Sequence, residues 1–295
     1  MITTATTAMI PALKALWKEA FGDPDEYTDF FFSQGFRPDR TFLYLQEARP
    51  VSMAFVFPGE LCVHDSYIPV GYIYGVATYK DSRGKGYSTQ VLQFIQQQYP
   101  VTFLVPSTKS LFQFYARNGY HTAFHVNEII YHLDQLAEPI APITMQDITP
   151  EEYKIVRDQY FHGTGYLRWD ESTIAYALAE NIICNGSAIK VRNLLEHSLH
   201  YQPRSIVDKA DSKTPLADYP EAILMYRCYK QELIIKETTL SGKLLQDTAY
   251  RLMEKTKTNI CRIRLRPDSS SPGKAFAMLH GQGGLTSGYC NLVLD

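Results

Sequence analysis

The chain has 295 residues, 45% apolar and 20% charged, an ordinary globular balance with room for two domains of about 150 residues each. Its net charge is −2, which gives no bulk electrostatic reason to bind nucleic acid. No run approaches the roughly 18 apolar residues of a membrane span, and the start, MITTATTAMIPALKALW, lacks the basic region of a signal peptide, so a cytoplasmic protein with no membrane or nucleic-acid partner is expected.

The first elements follow from periodicity. Ile10, Leu13, Leu16, Trp17 and Phe21 form the stripe of an amphipathic helix, stopped by Gly22. DPDEYTDFFFSQGF predicts a second helix with Asp23 as N-cap and Pro24 at its first position. RTFLYLQE, PVSMAFVFPGELCV and YIPVGYIYGVATY read as strands, the first two joined by a turn around ARP. YSTQVLQFIQQQ is helical, with Val91, Phe94 and Ile95 on one face. VTFLVP is a short buried strand. STKSLFQFYARNGY is a helix capped by Ser107 or Thr108 and ended by Gly119, and HTAFHVNEIIYHL is a closing strand.

With ITTAT as a first short strand, the order β, α, α, β, β, β, α, β, α, β predicts an α/β fold with a mixed sheet and helices on its faces. The first domain is expected to span residues 1–134. The proline-containing DQLAEPIAPITMQDITPEE reads as a linker over residues 135–150.

In residues 151–295, TPEEYKIVRDQYF and DESTIAYALAENIICNG have helical patterns, the second capped by Asp170 or Ser172 and ended by Gly186. GSAIKVRN, HSLHYQ, EAILMYRCYK, QELIIKETTL, NICRIRLRP and GYCNLVLD read as strands. SGKLLQDTAYRLMEKT is a helix and DKADSKTPLADYP a polar loop. The second half thus repeats the coarse order of the first without a residue-level repeat.

Cys62, Cys184, Cys228, Cys261 and Cys290 are odd in number, scattered and free of any CxxC, which argues against a disulfide framework and a zinc site. His121 and His125 are four apart on a predicted strand, a poor chelating distance; His197 and His200 are three apart. No metal is expected.

The stretch most suggestive of chemistry is YGVATYKDSRGKGYS, residues 74–88. An apolar strand ends in a turn where Gly84 and Gly86 alternate with Arg83 and Lys85, and a helix begins immediately after. Glycine permits positive φ and close approach of a ligand. Free N–H groups and the dipole at a helix start favour an anion, above all a phosphate. The P-loop pattern GxxxxGK[ST] is absent, because Gly86 follows Lys85; no GxGxxG is present.

This stretch resembles the acyl-CoA-binding motif of the GNAT acetyltransferases: Arg or Gln, two residues, Gly, one residue, then Gly or Ala, directly after a strand. Arg83, Gly86 and Ser88 take the three places, Ser88 departing from Gly/Ala while remaining small. The resemblance implies that the backbone of Arg83, Gly84, Lys85, Gly86, Tyr87 and Ser88 holds the pyrophosphate of acetyl-CoA. It also implies that Val76, Ala77 and Thr78 pair with the pantetheine arm as an added strand would. SLFQFYARNGY is similar to the family's second motif, which implies that Tyr115 is the general acid for the departing thiolate.

A GNAT domain followed by a degenerate GNAT-like half is similar to the architecture of the Eis-like group. That group carries a third, sterol-carrier-like domain for which this chain is too short, and its terminal carboxylate, here Asp295, can act as base. The resemblance implies direct acetyl transfer to an amine of a small molecule or peptide. The second half would shape the acceptor site or an oligomer interface.

No Glu or Asp lies on the strand YIYGVATY, so Glu128, His121 and Asp295 remain alternatives for the base. Asp25, Glu26 and Asp29 could attract a cationic amine. The alternatives are a non-catalytic acyl-CoA-binding scaffold and transfer of a different acyl group.

Overall fold

The computed structural model describes residues 1–63, 66–140, 142–162, 165–193, 222–267, 273–281 and 288–290. In chain order the first elements are β1 (Ile2–Thr4), α1 (Ile10–Phe21), α2 (Asp25–Phe30), β2 (Thr41–Gln46), β3 (Arg49–Val63), β4 (Ser66–Thr78), α3 (Tyr87–Gln98), β5 (Thr102–Leu104), α4 (Lys109–Arg117) and β6 (His121–His132). The order matches the one read from periodicity. There follow β7 (Ile143–Asp147), α5 (Pro150–Phe161), β8 (Tyr166–Arg168), α6 (Glu171–Ile183), β9 (Gly186–Asn193), β10 (Ala222–Tyr229), β11 (Glu232–Thr238), α7 (Gly242–Thr256), β12 (Ile260–Leu265) and β13 (Lys274–His280). The fold is mixed α/β.

The chain divides into two compact units that are not contiguous in sequence. The first comprises residues 1–127, 161–183 and 266–295, the second residues 128–160 and 184–265. In the first unit the strand order is β1-β2-β3-β4-β5-β13-β6, with β8 also paired to β3. β13 lies antiparallel between β5 and β6, pairing Met278 with Leu104 and Leu279 with His121. In the second unit β10 pairs antiparallel with β9 and β11, β11 runs parallel to β12, and β7 pairs with β9.

The first unit's sheet is covered on both faces, as strand alternation requires. Ala54, Val56 and Ile73 pack with Val91, Leu92 and Ile95 of α3 and Tyr115 of α4. On the other face Phe55, Phe57, Tyr72 and Tyr74 join a ring cluster around Trp17 of α1 and Phe31. Because both faces are buried, the strand residues read as continuous apolar runs.

The second unit has its own core, in which Leu245, Ala249, Leu252 and Met253 of α7 cover Leu224, Leu233, Ile235 and Ile263 of the sheet. It also contains a fully buried ion pair: Arg157 Nε donates to Glu237 Oε1 at 2.9 Å, and the Tyr153 hydroxyl donates to the same oxygen at 2.9 Å.

Several local expectations are corrected. Asp23 does not cap α2; Pro24 holds the cap position, and Asp23 accepts a hydrogen bond from Trp17 Nε1 at 2.8 Å. The β2–β3 turn is made by Glu47 and Ala48, both at positive φ, one residue ahead of the expected place. The stretch read as a linker contains β7, whose residues pair with β9. Helix α6 ends at Ile183, before Gly186, which belongs to β9. β8 and β13 were not expected. HSLHYQ, with His197 and His200, the polar loop before residue 221, and Asp295 lie outside the described residues, as does GYCNLVLD beyond Cys290. Gly288 and Tyr289 form isolated bridges to Phe124 and Tyr166.

Candidate functional site

β4 and β5 run parallel but pair only at Gly71–Thr102 and Tyr72–Phe103. β5 ends at Leu104 while β4 continues to Thr78. On that side the stretch from Ile73 to Thr78 therefore has no β5 partner, and the sheet opens into a split.

A bulge shapes this stretch. Met53 opposes Ala77 and Phe55 opposes Tyr74, so β4 carries one extra residue there. Gly75 absorbs it at φ +60, and a Cβ at that position would lie 2.9 Å from the Phe55 ring and 3.2 Å from that of Trp17. Alternation is thereby reset: Tyr74 faces the Trp17 cluster, whereas Val76 packs with Ile73 on the α3–α4 side.

Ala77 and Thr78 are tied to β3. The Ser52 hydroxyl donates to the Ala77 carbonyl at 3.0 Å, and the Thr78 hydroxyl donates to Ser52 Oγ at 2.9 Å.

After Tyr79 the chain makes a short turn in which Arg83 Nε donates back to the Thr78 carbonyl at 3.1 Å. Gly84 at φ +75 and Gly86 at φ +78 adopt the left-handed conformation, and an added Cβ on either would project into open space. Gly86 is the residue preceding α3, whose first N–H groups lack intrahelical acceptors. Arg83, Gly84, Lys85 and Gly86 are exposed; Tyr87 and Ser88 are half-buried. The Tyr87 ring stacks on Tyr44 at 4.2 Å and its hydroxyl donates to Gln46 at 3.2 Å, so this side chain anchors the helix start to β2.

A polar cleft of about 450 Å³ adjoins the turn, lined by Gln46, Arg49, Asp81 and Lys85 among others. The Ser82 hydroxyl, then Arg49, hold the Asp81 carboxyl below the usual carboxylate range.

Tyr115 sits on α4, whose start is capped by Thr108 accepting from the Leu111 N–H. Its ring is 6% exposed and packs edge-on against Phe114 and Tyr120 within the cluster that contains Ile73 and Leu104, the residues at which β4 and β5 part. Burial, then the Tyr120 phenol, push its pKa above the ordinary 10.0, so it is protonated at neutral pH. Tyr120 in turn bonds Thr102 Oγ1 at 2.9 Å.

On the opposite face lies a group absent from the sequence reading. The Tyr27 hydroxyl of α2 bonds the Tyr74 hydroxyl at 2.7 Å and donates to Glu180 Oε1 of α6 at 2.6 Å. Glu180 is 2% exposed. Burial is the largest cause that raises the pKa of both phenols far above 10.0, and the Glu180 charge adds to it.

Residues 1–123 match the family model described as an acetyltransferase (GNAT) domain. Over those residues the chain is similar to the GNAT acetyltransferases. No curated protein matches the chain in sequence. Solved structures share its fold. A conserved protein of unknown function from Enterococcus faecalis, described as a probable N-acyltransferase, superposes with TM-score 0.65 at 14% identity, covering 95% of this chain and 72% of that one. Eis1 from Mycobacterium abscessus gives TM-score 0.60 at 12% identity, covering 95% and 73%. A putative acetyltransferase from Pyrococcus horikoshii gives TM-score 0.60 at 11% identity, covering 100% and 95%. At these identities the likeness is one of fold, and acyl transfer is the activity that the GNAT family name describes.

Within residues 1–123 the predicted site residues from Val76 to Ser88 form one continuous strand–turn–helix beside the split, and Tyr115 lies in the cluster beneath it. Other candidates are engaged elsewhere. Glu128 accepts from Arg262 at 3.0 Å. Asp25 pairs with Lys18, and Asp29 with Lys14 at 2.5 Å, both acids turned to solvent. His121 is exposed on β6. Among the described residues no cluster of His, Cys, Asp or Glu is arranged to hold a metal ion, and no helix is long and apolar enough to cross a membrane. Tyr27, Tyr74 and Glu180 were missed because the signal for their meeting is topological: a glutamate on an amphipathic helix ordinarily reads as a solvated face.

Proposed function

We propose that the protein is an acetyl-CoA-dependent N-acetyltransferase acting by direct transfer to an amine of a small molecule or peptide. The observation that carries this reading is the juxtaposition at the β4–β5 split of an open glycine-basic turn and a buried, protonated phenol, Tyr115, whose hydroxyl makes no hydrogen bond among the described residues.

In this reading the N–H groups of residues 83–88 and the positive end of α3 hold the pyrophosphate, with Arg83 and Lys85 adding charge. The freed edge of β4 at Val76–Thr78 accepts the pantetheine arm, and N–H groups near Val76 and Ala77 polarise the thioester carbonyl. An alkyl ammonium of pKa about 10 must lose a proton before its lone pair can attack that carbonyl. As the carbon–sulfur bond breaks, the Tyr115 O–H donates to the developing thiolate, and the second proton of the attacking nitrogen restores the phenol.

The test is a thermal melt with and without acetyl-CoA, with ADP as control, followed by thiol release in the presence of amines. At about 100 times Kd the ligand should stabilise by roughly 2.7 kcal/mol. A shift specific to acetyl-CoA with amine-dependent thiol release supports the reading. A shift without thiol release points to the acyl-CoA-binding scaffold, and no shift at millimolar ligand removes the acetyl-CoA site.

A further inference from the structure

Resting on that reading, we infer that Glu180, acting through Tyr27 and Tyr74, is the terminal acceptor for the proton that the acceptor amine must lose.

The geometry fixes the direction of the chain. The single Tyr27 proton is given to Glu180 Oε1 at 2.6 Å, so in the 2.7 Å contact Tyr74 is the donor and Tyr27 the acceptor. The Tyr74 oxygen then keeps its lone pairs for an incoming N–H. Tyr74 is half-buried and immediately precedes the Gly75 bulge, on the sheet face opposite Tyr115. The two chemical tasks thus fall on opposite faces of one split: protonation of the leaving thiolate from the α3–α4 side, deprotonation of the amine from the α1–α2 side.

The step balances. The ammonium N–H passes its proton to the Tyr74 oxygen, the Tyr74 proton moves to Tyr27, and the Tyr27 proton moves to the Glu180 carboxylate. A neutral amine and a carboxylic acid result, both phenols are unchanged, and Glu180 returns its proton by the same path after product leaves. Phenols face Glu180 from two elements, Tyr27 from α2 and Tyr74 from β4, and Tyr176 of α6 and Tyr72 of β4 lie beside them. The raised pKa of Tyr27 and Tyr74 means that neither stores charge, as a relay requires.

The helix that brings Glu180 lies far along the sequence, but α6 belongs to the first unit and packs against α2 and the Phe31–Gly35 turn. Phe30 stacks on Tyr176 at 5.4 Å, and a Cβ on Gly35 would meet that Tyr176 ring at 2.9 Å.

The experiment compares ethylamine with trifluoroethylamine, similar in size, in thiol release from acetyl-CoA at about pH 7.5. The first is an ammonium there and the second already neutral, as their basicities dictate. Glu180→Gln is expected to lower kcat/KM for ethylamine about 10²–10⁴-fold and to leave trifluoroethylamine nearly unaffected, with the acetyl-CoA melting shift unchanged. Tyr74→Phe and Tyr27→Phe interrupt the same chain without touching the carboxylate and should reproduce the selective loss. Equal loss on both amines across the three variants would mean a structural role and overturn the inference; so would unchanged ethylamine turnover in Glu180→Gln. Absence of thiol release by the wild type with either amine removes the amine-acceptor reading itself, and this inference with it.

Discussion

Ile73 and Val76 pack against the same α3–α4 cluster although they lie three residues apart on one strand. An unbroken strand would put them on opposite faces. The extra residue at Gly75 restores them to one side, and the same bulge leaves Tyr74 pointing to the other. Gly75→Ala therefore meets two obstacles, a positive φ and the rings of Phe55 and Trp17. It is expected to cost about 1–3 kcal/mol. A urea melt reads this as a lower midpoint at unchanged slope; an unchanged midpoint would mean that the bulge tolerates a side chain.

Tyr115→Phe keeps the ring in its packed cluster and removes a hydroxyl that makes no hydrogen bond among the described residues, so folding stability should change by less than about 0.5 kcal/mol. If the hydroxyl is the proton donor, kcat for amine acetylation falls about 10²-fold or more while acetyl-CoA affinity is unchanged. Steady-state kinetics beside a binding titration separate the two quantities. Unaltered turnover would remove Tyr115 from the acid role.

Alkaline pH gives a further expectation. Tyr27, Tyr74 and Tyr115 all have native pKa values above 10.0. The native state holds these protons more tightly than the unfolded chain does. Their stabilising effect is therefore complete below about pH 10 and is lost as pH rises toward the native values. The denaturation midpoint should fall steeply above about pH 10, and Tyr115→Phe should lessen that slope. A flat profile there would contradict the burial of these phenols.

What was legible in the sequence was what is local. The Arg83–Ser88 turn, the α4 helix with Tyr115, and the first ten elements depend on glycine positions, caps and periodicity over short windows. β13 was not legible because KAFAMLH alternates poorly and is defined by partners more than 140 residues away in β5 and β6. Asp23 was read as a cap because its type and place suit one; the Trp17 indole N–H claims it instead. Glu180 was invisible as a site residue because its partners, Tyr27 and Tyr74, are distant in sequence.

The second unit offers a test of its own. Arg157 and Glu237 are both fully buried and joined at 2.9 Å. Arg157→Ala strands the Glu237 charge and should destabilise by about 3–5 kcal/mol. A paired apolar replacement, Arg157→Met with Glu237→Leu, should recover most of that loss, because desolvating the pair offsets much of its attraction. Calorimetric melts of the two variants check the difference. Equal destabilisation by both would mean that packing, not charge, dominates there.

The measurement that bears most directly on the account is a calorimetric titration of acetyl-CoA into the wild type and Arg83→Glu, with Lys255→Glu on the exposed side of α7 as a charge-matched control. The account predicts saturable binding by the wild type and the control, and affinity at least about tenfold weaker when a negative charge replaces Arg83, a difference of about 1.4 kcal/mol. Equal affinity in all three proteins would contradict the placement of the pyrophosphate at the glycine-basic turn.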